Sequence, residues 1–255
     1  MGKKHQLAER RQAILAALKE QGGLSVAELS GRFDVSEVTI RTDLRALSSR
    51  NQLIRPRGRA LDMGFSPEQT FDVRQQLQAE KKDRIGRAAA RLVNAGDTIA
   101  LDASTTALAM LPYIKQLPQL TLVTNSLKVA LNLLDAPHIH LIMPGGYLRR
   151  ESISLVGQSE SLLADLHVRT GFFGAWGFTL EEGLTDVNLE EVNTKRRLVE
   201  RCQRVVGLVD AHKWGQVAAA TFARLEQIQL IISDDAAPAA LAQQVRDCGV
   251  EVILV

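Results

Sequence analysis

The sequence predicts an α/β protein in two parts: a small helical head with a hairpin, and a larger unit built on a Rossmann-like, mostly parallel sheet. Three observations carry that prediction. The first is charge. Residues 1–60 hold 12 Lys and Arg against 6 Asp and Glu, and the remainder holds 19 against 23, so the overall net of +2 conceals a basic head on a mildly acidic body. The second is a succession of three helical patterns within the first 50 residues. The third is an alternation, from residue 80 onward, of short apolar β-rich runs with amphipathic helical segments, the pattern of parallel strands covered on both faces.

Bulk composition narrows the setting. A chain of 255 residues that is 45% hydrophobic and 4% aromatic can fill a core with Leu, Val, Ile and Ala. Cys202 and Cys248 make no framework of paired cysteines, which fits a reducing cytoplasm. No apolar run approaches the ~20 residues of a membrane span, and residues 1–6 are not followed by the apolar stretch of a signal peptide. No cofactor and no metal are expected.

In the head, Leu7, Ile14, Leu15 and Leu18 give a helical stripe over roughly 6–20, ended by Gln21-Gly22-Gly23. Ser25 caps a short helix that runs to Phe33, with Val26, Leu29 and Phe33 inward. Asp34-Val35 turns the chain, and Ser36 caps a third helix. At about 100° per residue this helix sets Ile40, Leu44 and Leu47 on one face. Val38, Arg41, Thr42, Arg45 and Ser49 fall on or beside the other. An apolar back with a front of Arg and Thr suits the DNA major groove. There Arg binds guanine O6 and N7 together, and Thr offers a methyl and a hydroxyl. Residues 52–61 read as two short apolar stretches around Pro56-Arg57-Gly58-Arg59, a hairpin. Each of Arg55, Arg57 and Arg59 taken singly reads as a solvated surface charge; clustered behind a helix-turn-helix, they read as a wing suited to gripping phosphate. The boundaries expected are a head over 1–61, a linker over 62–79 and a large unit over 80–255.

The large unit opens with a helix over 80–94, with Ile85, Ala88, Ala89, Leu92 and Val93 inward. Strands are expected over 98–102, 120–124, 139–143, 171–175, 204–209, 229–233 and 250–255. Helices are expected near 105–116, 126–134, 158–166, 189–202 and 238–247. In open α/β sheets the ligand sits outside the carboxyl ends of the strands. The first strand ends in Asp102-Ala103-Ser104-Thr105-Thr106, three hydroxyls at a helix start, which serve either as an anion cradle or merely as a cap. The second ends in Thr124-Asn125-Ser126, again at a helix start. The third ends in Pro144-Gly145-Gly146, whose glycines either admit a ligand close to the backbone or only make a turn. After Val209, Asp210-Ala211-His212-Lys213 sets a cation near a strand end. Together these loops point to a phosphate-bearing ligand.

At this point the chain resembles a known family, the DeoR bacterial repressors. Arg10-Arg11-Gln12-Ala13-Ile14-Leu15 matches that family's Arg-Arg-x-x-Ile-Leu helix. Residues 35–44 match Val-Ser-x-x-Thr-Ile-Arg-Arg-Asp-Leu except at Thr42, where the second Arg usually stands. The wing keeps Arg55 and Ala60 of Arg-x-x-Gly-Gly-Ala but has Arg59 for the second Gly. Phe71 and Arg74 match a Phe-x-x-Arg signature. Further on, residues 102–106 resemble Asp-x-Gly-Thr-Thr, with Ser104 in place of Gly, and residues 124–126 resemble Thr-Asn-Ser. Gly145, Gly146 and Arg149 resemble Gly-Gly-x-x-Arg, Glu191 and Lys195 resemble Glu-x-x-x-Lys, and Asp210 and Lys213 resemble Asp-x-x-Lys.

The resemblance implies a winged helix-turn-helix followed by a sensor domain related to ribose-phosphate isomerases and CoA transferases. It implies a non-enzymatic, homo-oligomeric repressor whose partners are operator DNA and a phosphorylated sugar or similar effector. Ser36, Val38, Thr39, Arg41, Thr42, Arg45, Arg55, Arg57 and Arg59 would bear on DNA. Asp102, Ser104, Thr105, Thr106, Thr124, Asn125, Gly145, Gly146, Arg149, Glu191, Lys195, Asp210 and Lys213 would line the effector site. The competing expectation is an isomerase-like enzyme with an accessory basic domain, using Glu191, Asp102 and Lys213 in acid–base work.

Overall fold

In the computed structural model, which describes residues 7, 10–17, 24–48, 53–54, 59–62, 71–157 and 163–255, the chain divides between Gln69 and Thr70 into two units. The small unit is built on three helices: α1 (residues 10–17), α2 (Val26–Phe33) and α3 (Glu37–Ser48). Ile14 and Ala17, Val26 and Leu29, and Ile40, Leu44 and Leu47 close its core, each helix contributing the face its spacing dictates. Strand β1 (Leu24–Ser25) pairs antiparallel with β3 (Arg59–Asp62), which pairs in turn with β2 (Leu53–Ile54). The β2–β3 pair is the hairpin expected from residues 52–61. β1 was not legible in the sequence, because two residues carry no periodicity.

Of the connector expected over 62–79, residues 63–70 lie outside the described residues, and both its ends carry regular structure. Asp62 closes β3, and Phe71, fully buried, opens helix α4 (Phe71–Gln76) as part of the larger core. The rest of α4 is polar apart from Val73, so one buried side chain leaves no stripe to detect. Chain order then runs α5 (Ala79–Ala90), β4 (Thr98–Leu101), α6 (Thr105–Leu108), α7 (Leu111–Ile114), β5 (Thr121–Thr124), α8 (Leu127–Asn132), β6 (His140–Ile142), β7 (Tyr147–Arg149), β8 (Ser154–Val156), β9 (Val168–Gly174), β10 (Gly177–Thr179), β11 (Gly183–Asp186), α9 (Leu189–Val199), β12 (Cys202–Leu208), β13 (Ala220–Ala223), β14 (Leu230–Ser233), α10 (Ala239–Asp247) and β15 (Glu251–Leu254).

The seven expected strands form one sheet in the order β15-β14-β12-β9-β4-β5-β6, every neighbour parallel. Successive side chains face opposite cores. Ile99, Leu101, Phe172 and Val206 pack with α4 to α8, while Ala100, Phe173 and Val205 pack with α9 and α10. Both faces are therefore covered, which is why the strands read as continuous apolar runs. The helix expected over 105–116 is two short ones. Pro112, in the first turn of α7, has no N–H for the helix ladder, and its ring would collide with the carbonyl of Leu108. In the helix expected near 158–166, residues 158–162 lie outside the described residues. Two features were not foreseen: the β7–β8 hairpin and the antiparallel sheet β10-β11-β13. Their strands are three or four residues long, too short for a period to stand out.

This topology locates the candidate site. Strand β4 is followed by β5 on one side, while β9 lies on its other side. The chain therefore reverses its direction of travel across the sheet at β4–β9, the kind of position where open α/β sheets bind ligands beyond the carboxyl ends of their strands.

Candidate functional site

The DNA-facing candidate is α3. Asp34, at φ 49°, turns the chain, and Ser30 Oγ donates to Val35 O at 2.6 Å to close the turn. Ser36 Oγ accepts the Thr39 N–H at 3.2 Å, and the hydroxyls of Ser36 and Thr39 lie 2.9 Å apart. Both residues thus start the helix. Val38 is 69% exposed, a large apolar side chain presented outward. Thr42, also exposed, donates its hydroxyl to Val38 O at 2.9 Å, so what it offers outward is a methyl and an acceptor. The side chains of Arg41, Arg45 and Arg59 lie outside the described residues, as do Arg55 and Arg57 altogether.

Asp43 carries a role that its sequence position alone does not show. It is 1% exposed and receives Arg10 Nε at 2.7 Å and Arg11 Nε at 2.9 Å. The Arg-Arg pair that begins α1 therefore fastens α1 to the recognition helix. The available signal was an acid three residues after Ile40, on the apolar face, where a charge needs a partner. Replacing Ser36 by Ala is expected to cost the small unit about 1 kcal/mol, since one helix N–H loses its acceptor. A thermal midpoint equal to that of the wild-type small unit would exclude this capping role.

At the sheet's carboxyl end the expected residues fall into three polar clusters. The first is a buried ion network. Lys195 Nζ lies 2.9 Å from Asp102 Oδ2 and 2.6 Å from Asp186 Oδ2, and donates to Gly174 O at 2.8 Å. Asp102 also accepts Ser104 N–H at 3.1 Å and Gly174 N–H at 3.1 Å, tying β4 to β9 at the reversal. Burial alone would lower the Lys195 ammonium; the charges of Asp102, Asp186 and Glu191 and the hydrogen bond to Asp186 overcome this and hold it above its ordinary value. Burial likewise pushes the Asp186 carboxyl up, and Lys195, the Val187 N–H and Arg74 bring it below the ordinary range. Asp186 was missed in the sequence, since nothing local marks which strand-end acid meets the lysine.

The second cluster sits against the β7–β8 hairpin. Glu191 Oε1 accepts Ser154 Oγ at 3.0 Å and lies 3.6 Å from Arg149 Nη1, which donates to Ser152 Oγ at 3.1 Å. Gly145 and Gly146 precede the hairpin at φ 81° and φ 125°. A Cβ on Gly146 would stand 2.1 Å from Val156 O, so this glycine is required by the approach of β8.

The hydroxyl runs behave partly as caps. Ser104 Oγ accepts Ala107 N–H at 3.0 Å and Ser126 Oγ accepts Val129 N–H at 3.3 Å. Ser104, the departure from Asp-x-Gly-Thr-Thr, packs where Gly174 has no side chain: a Cβ there would stand 2.4 Å from Ser104 Cβ. Thr105 and Thr106 are buried, and Thr105 lines a cavity of about 450 Å³ between α4, α5, α6 and α7, bordered also by Lys82 and Asp83. Thr124 Oγ1 accepts Ser126 N–H at 3.1 Å. Asn125 is buried, and its Nδ2 donates to Leu155 O at 3.2 Å.

The third cluster is cationic. Lys213 follows β12 in a short 3-10 turn begun by Asp210, whose Oδ1 accepts His212 N–H at 3.0 Å. Among the described residues Lys213 forms no ion pair; its Nζ lies 5.8 Å from the centre of the Trp176 ring. Burial lowers its pKa, Asp210 and Asp186 oppose the shift, and Arg74 adds to it. Lys82 was not foreseen. Burial lowers it to about 8, against Asp210 and with the help of Lys213 and Arg74. Asp210 is pushed up by burial but held below its ordinary range by His212, Lys213 and Lys82. Lys82 and Lys213 thus act on Asp210, and Arg74 acts on both lysines, a concentration of positive charge that favours an added anion.

A helix-turn-helix with an outward polar and apolar face, joined in one chain to an α/β unit with cations at its strand ends, defines a DNA-binding regulator that carries its own sensor. The chain belongs to the DeoR family: it matches the DeoR-like helix-turn-helix domain over residues 10–62 and the DeoR C terminal sensor domain over residues 77–235. It is 37% identical over 246 residues to the HTH-type transcriptional regulator GolR of Listeria innocua, covering 96% of this chain and 97% of that one. It is 29% identical over 247 residues to the glycerol-3-phosphate regulon repressor of Escherichia coli, covering 96% and 98%. Among solved structures it is similar to ribose 5-phosphate isomerase A of Methanocaldococcus jannaschii, at 19% identity and a TM-score of 0.37 over 53% of this chain and 54% of that one. The protein is a transcriptional regulator, not an isomerase carrying an accessory domain. Among the described residues no helix is long and apolar enough to cross a membrane.

Proposed function

We propose that the protein is a cytoplasmic, non-enzymatic repressor of a carbohydrate-utilisation operon that leaves its operator when a phosphorylated sugar or related metabolite binds the sensor unit. The observation that carries this reading is the cation cluster of Lys213, Lys82 and Arg74 beside the strand reversal, with Lys213 in no ion pair among the described residues. A similar regulator is named for glycerol 3-phosphate, which supports a phosphorylated effector. Asp102 and Lys195 each meet three partners in one closed network, which supports a structural role for both. Asp102, Lys195, Arg149 and Glu191 then shape the site, while Asn125, Thr105, Thr106, Asp210 and Lys213 meet the ligand.

Helix-turn-helix proteins read paired half-sites about one helical turn apart, so the active form is a homo-oligomer. Ser36, Val38, Thr39, Arg41, Thr42 and Arg45 set operator choice, and Arg55, Arg57 and Arg59 add phosphate contacts. Differential affinity of the effector for the DNA-bound and released arrangements is what shifts occupancy.

The test is a thermal-shift screen of the full chain with phosphorylated sugars and their unphosphorylated parents. It is followed by band shifts on DNA from upstream of the gene. A ligand of the native state raises the midpoint by mass action. The expected result is a phosphorylated compound that both raises the midpoint and releases the DNA. Equal stabilisation by the unphosphorylated parents would sink the reading.

A further inference from the structure

Among the described residues, two buried side-chain polar atoms meet no hydrogen-bond partner: Arg74 Nε and Asn125 Oδ1. One is a charged donor and the other a neutral acceptor, and either is costly to bury unpaired. The same short stretch of chain holds both residues. Arg74 Nη2 donates to Glu151 O at 3.4 Å. Leu155 N–H donates to Asn125 O at 2.8 Å, and Asn125 Nδ2 returns a bond to Leu155 O. Residues 151–155 thus bring the unpaired donor and the unpaired acceptor to one end of the sheet.

Arg74 also belongs to the cation cluster, since its charge acts on Lys82, Lys213 and Asp186. Its guanidinium lies 5.7 Å from the centre of the Phe71 ring, which limits where the fork can point. It stands on α4, the first helix after the division at Gln69 and Thr70. The other anchors of α4 face elsewhere. Phe71 is buried in the core, and Lys82 Nζ donates to the carbonyls of Arg74 and Leu77 at the helix's end.

We propose that Arg74 is an effector contact: its Nε–H donates to an anionic oxygen of the ligand, and that bond couples occupancy of the sensor to α4 and so to the chain leading to the DNA-binding unit. Asn125 Oδ1 accepts from a ligand hydroxyl, so the two atoms together select a phosphorylated polyol over a bare anion or a plain sugar. The inference rests on the phosphorylated-effector reading above and adds to it a residue and a route.

Sodium phosphate serves as the probe, titrated into the full chain at constant ionic strength, with sodium chloride as control. Thermal midpoint and hydrogen exchange of peptides spanning α4 are followed together. In the wild type, phosphate is expected to raise the midpoint and slow exchange in α4. Arg74→Gln is expected to need roughly tenfold more phosphate for the same rise, as befits loss of one charge-assisted bond, and to show no slowing in α4; Arg74→Lys restores part of the affinity. A wild type indifferent to phosphate overturns both this proposal and the reading beneath it. A wild type that binds phosphate without slowing α4, or an Arg74→Gln variant that responds as the wild type does, overturns the assignment to Arg74 alone. The α4 measurement needs only the wild type, so it decides even where the variant fails to fold.

Discussion

Replacing Lys195 by Met is expected to destabilise the larger unit by about 3–5 kcal/mol, because it leaves buried carboxylates without their cation. Asp102 and Asp186 each lie within 3 Å of Lys195 Nζ, and Lys195 is 4% exposed. The loss depends on pH in a way that identifies its cause. In the wild type the Asp186 carboxyl lies below its ordinary value of about 4. Its contribution is therefore present above that value and lost only as pH falls through the lower folded value. Without the lysine, burial is opposed only by the Val187 N–H and the charge of Arg74, and the carboxyl rises. The variant then gains relative stability as pH falls from neutrality toward 4. Urea unfolding at several pH values tests this, and a penalty that stays constant between pH 7 and pH 4 would show that lost packing, not charge, is responsible.

Lys213→Gln should leave the fold largely intact and weaken the effector response. A charge-assisted bond is worth about 1.5–3 kcal/mol, so the concentration of phosphorylated effector that half-releases operator DNA should rise roughly 10- to 100-fold. The wild-type ammonium is held at a cost, since burial and Arg74 both disfavour its charge. Removing that charge costs the folded state little. Inducer titrations in band shifts provide the measurement, with DNA affinity in the absence of inducer as reference. An unchanged midpoint would remove Lys213 from the site.

Much of this arrangement was legible in order and period. All seven parallel strands were expected from apolar runs, and Ile40, Leu44 and Leu47 from helical spacing. Ser36, Ser104 and Ser126 start helices where hydroxyls precede periodic segments. The short antiparallel strands and α4 escaped because their signals are one or two side chains long. The strand-end loops expected from the sequence lie at one end of the sheet, but which side chains pair with which was not legible. Ser104 is a cap fitted against Gly174, Gly146 makes room for β8, and Arg149 turns toward Glu191 and Ser152.

What the sequence determined by itself is what depends on neighbours along the chain: helix and strand period, caps, the turn at Asp34, and the alternation that demands a doubly covered parallel sheet. Those signals act over three or four residues, and any reading of the chain contains them. Only the tertiary structure decided the charge partners. Asp43 meets Arg10 and Arg11, Lys195 meets Asp102, and Arg74 acts on Lys213 across long separations in sequence, while Lys195–Asp186 and Arg74–Lys82 join residues nine and eight apart on successive elements. Coulomb attraction and desolvation depend on distance through space and on burial, and both are set only once the strands take their order in the sheet.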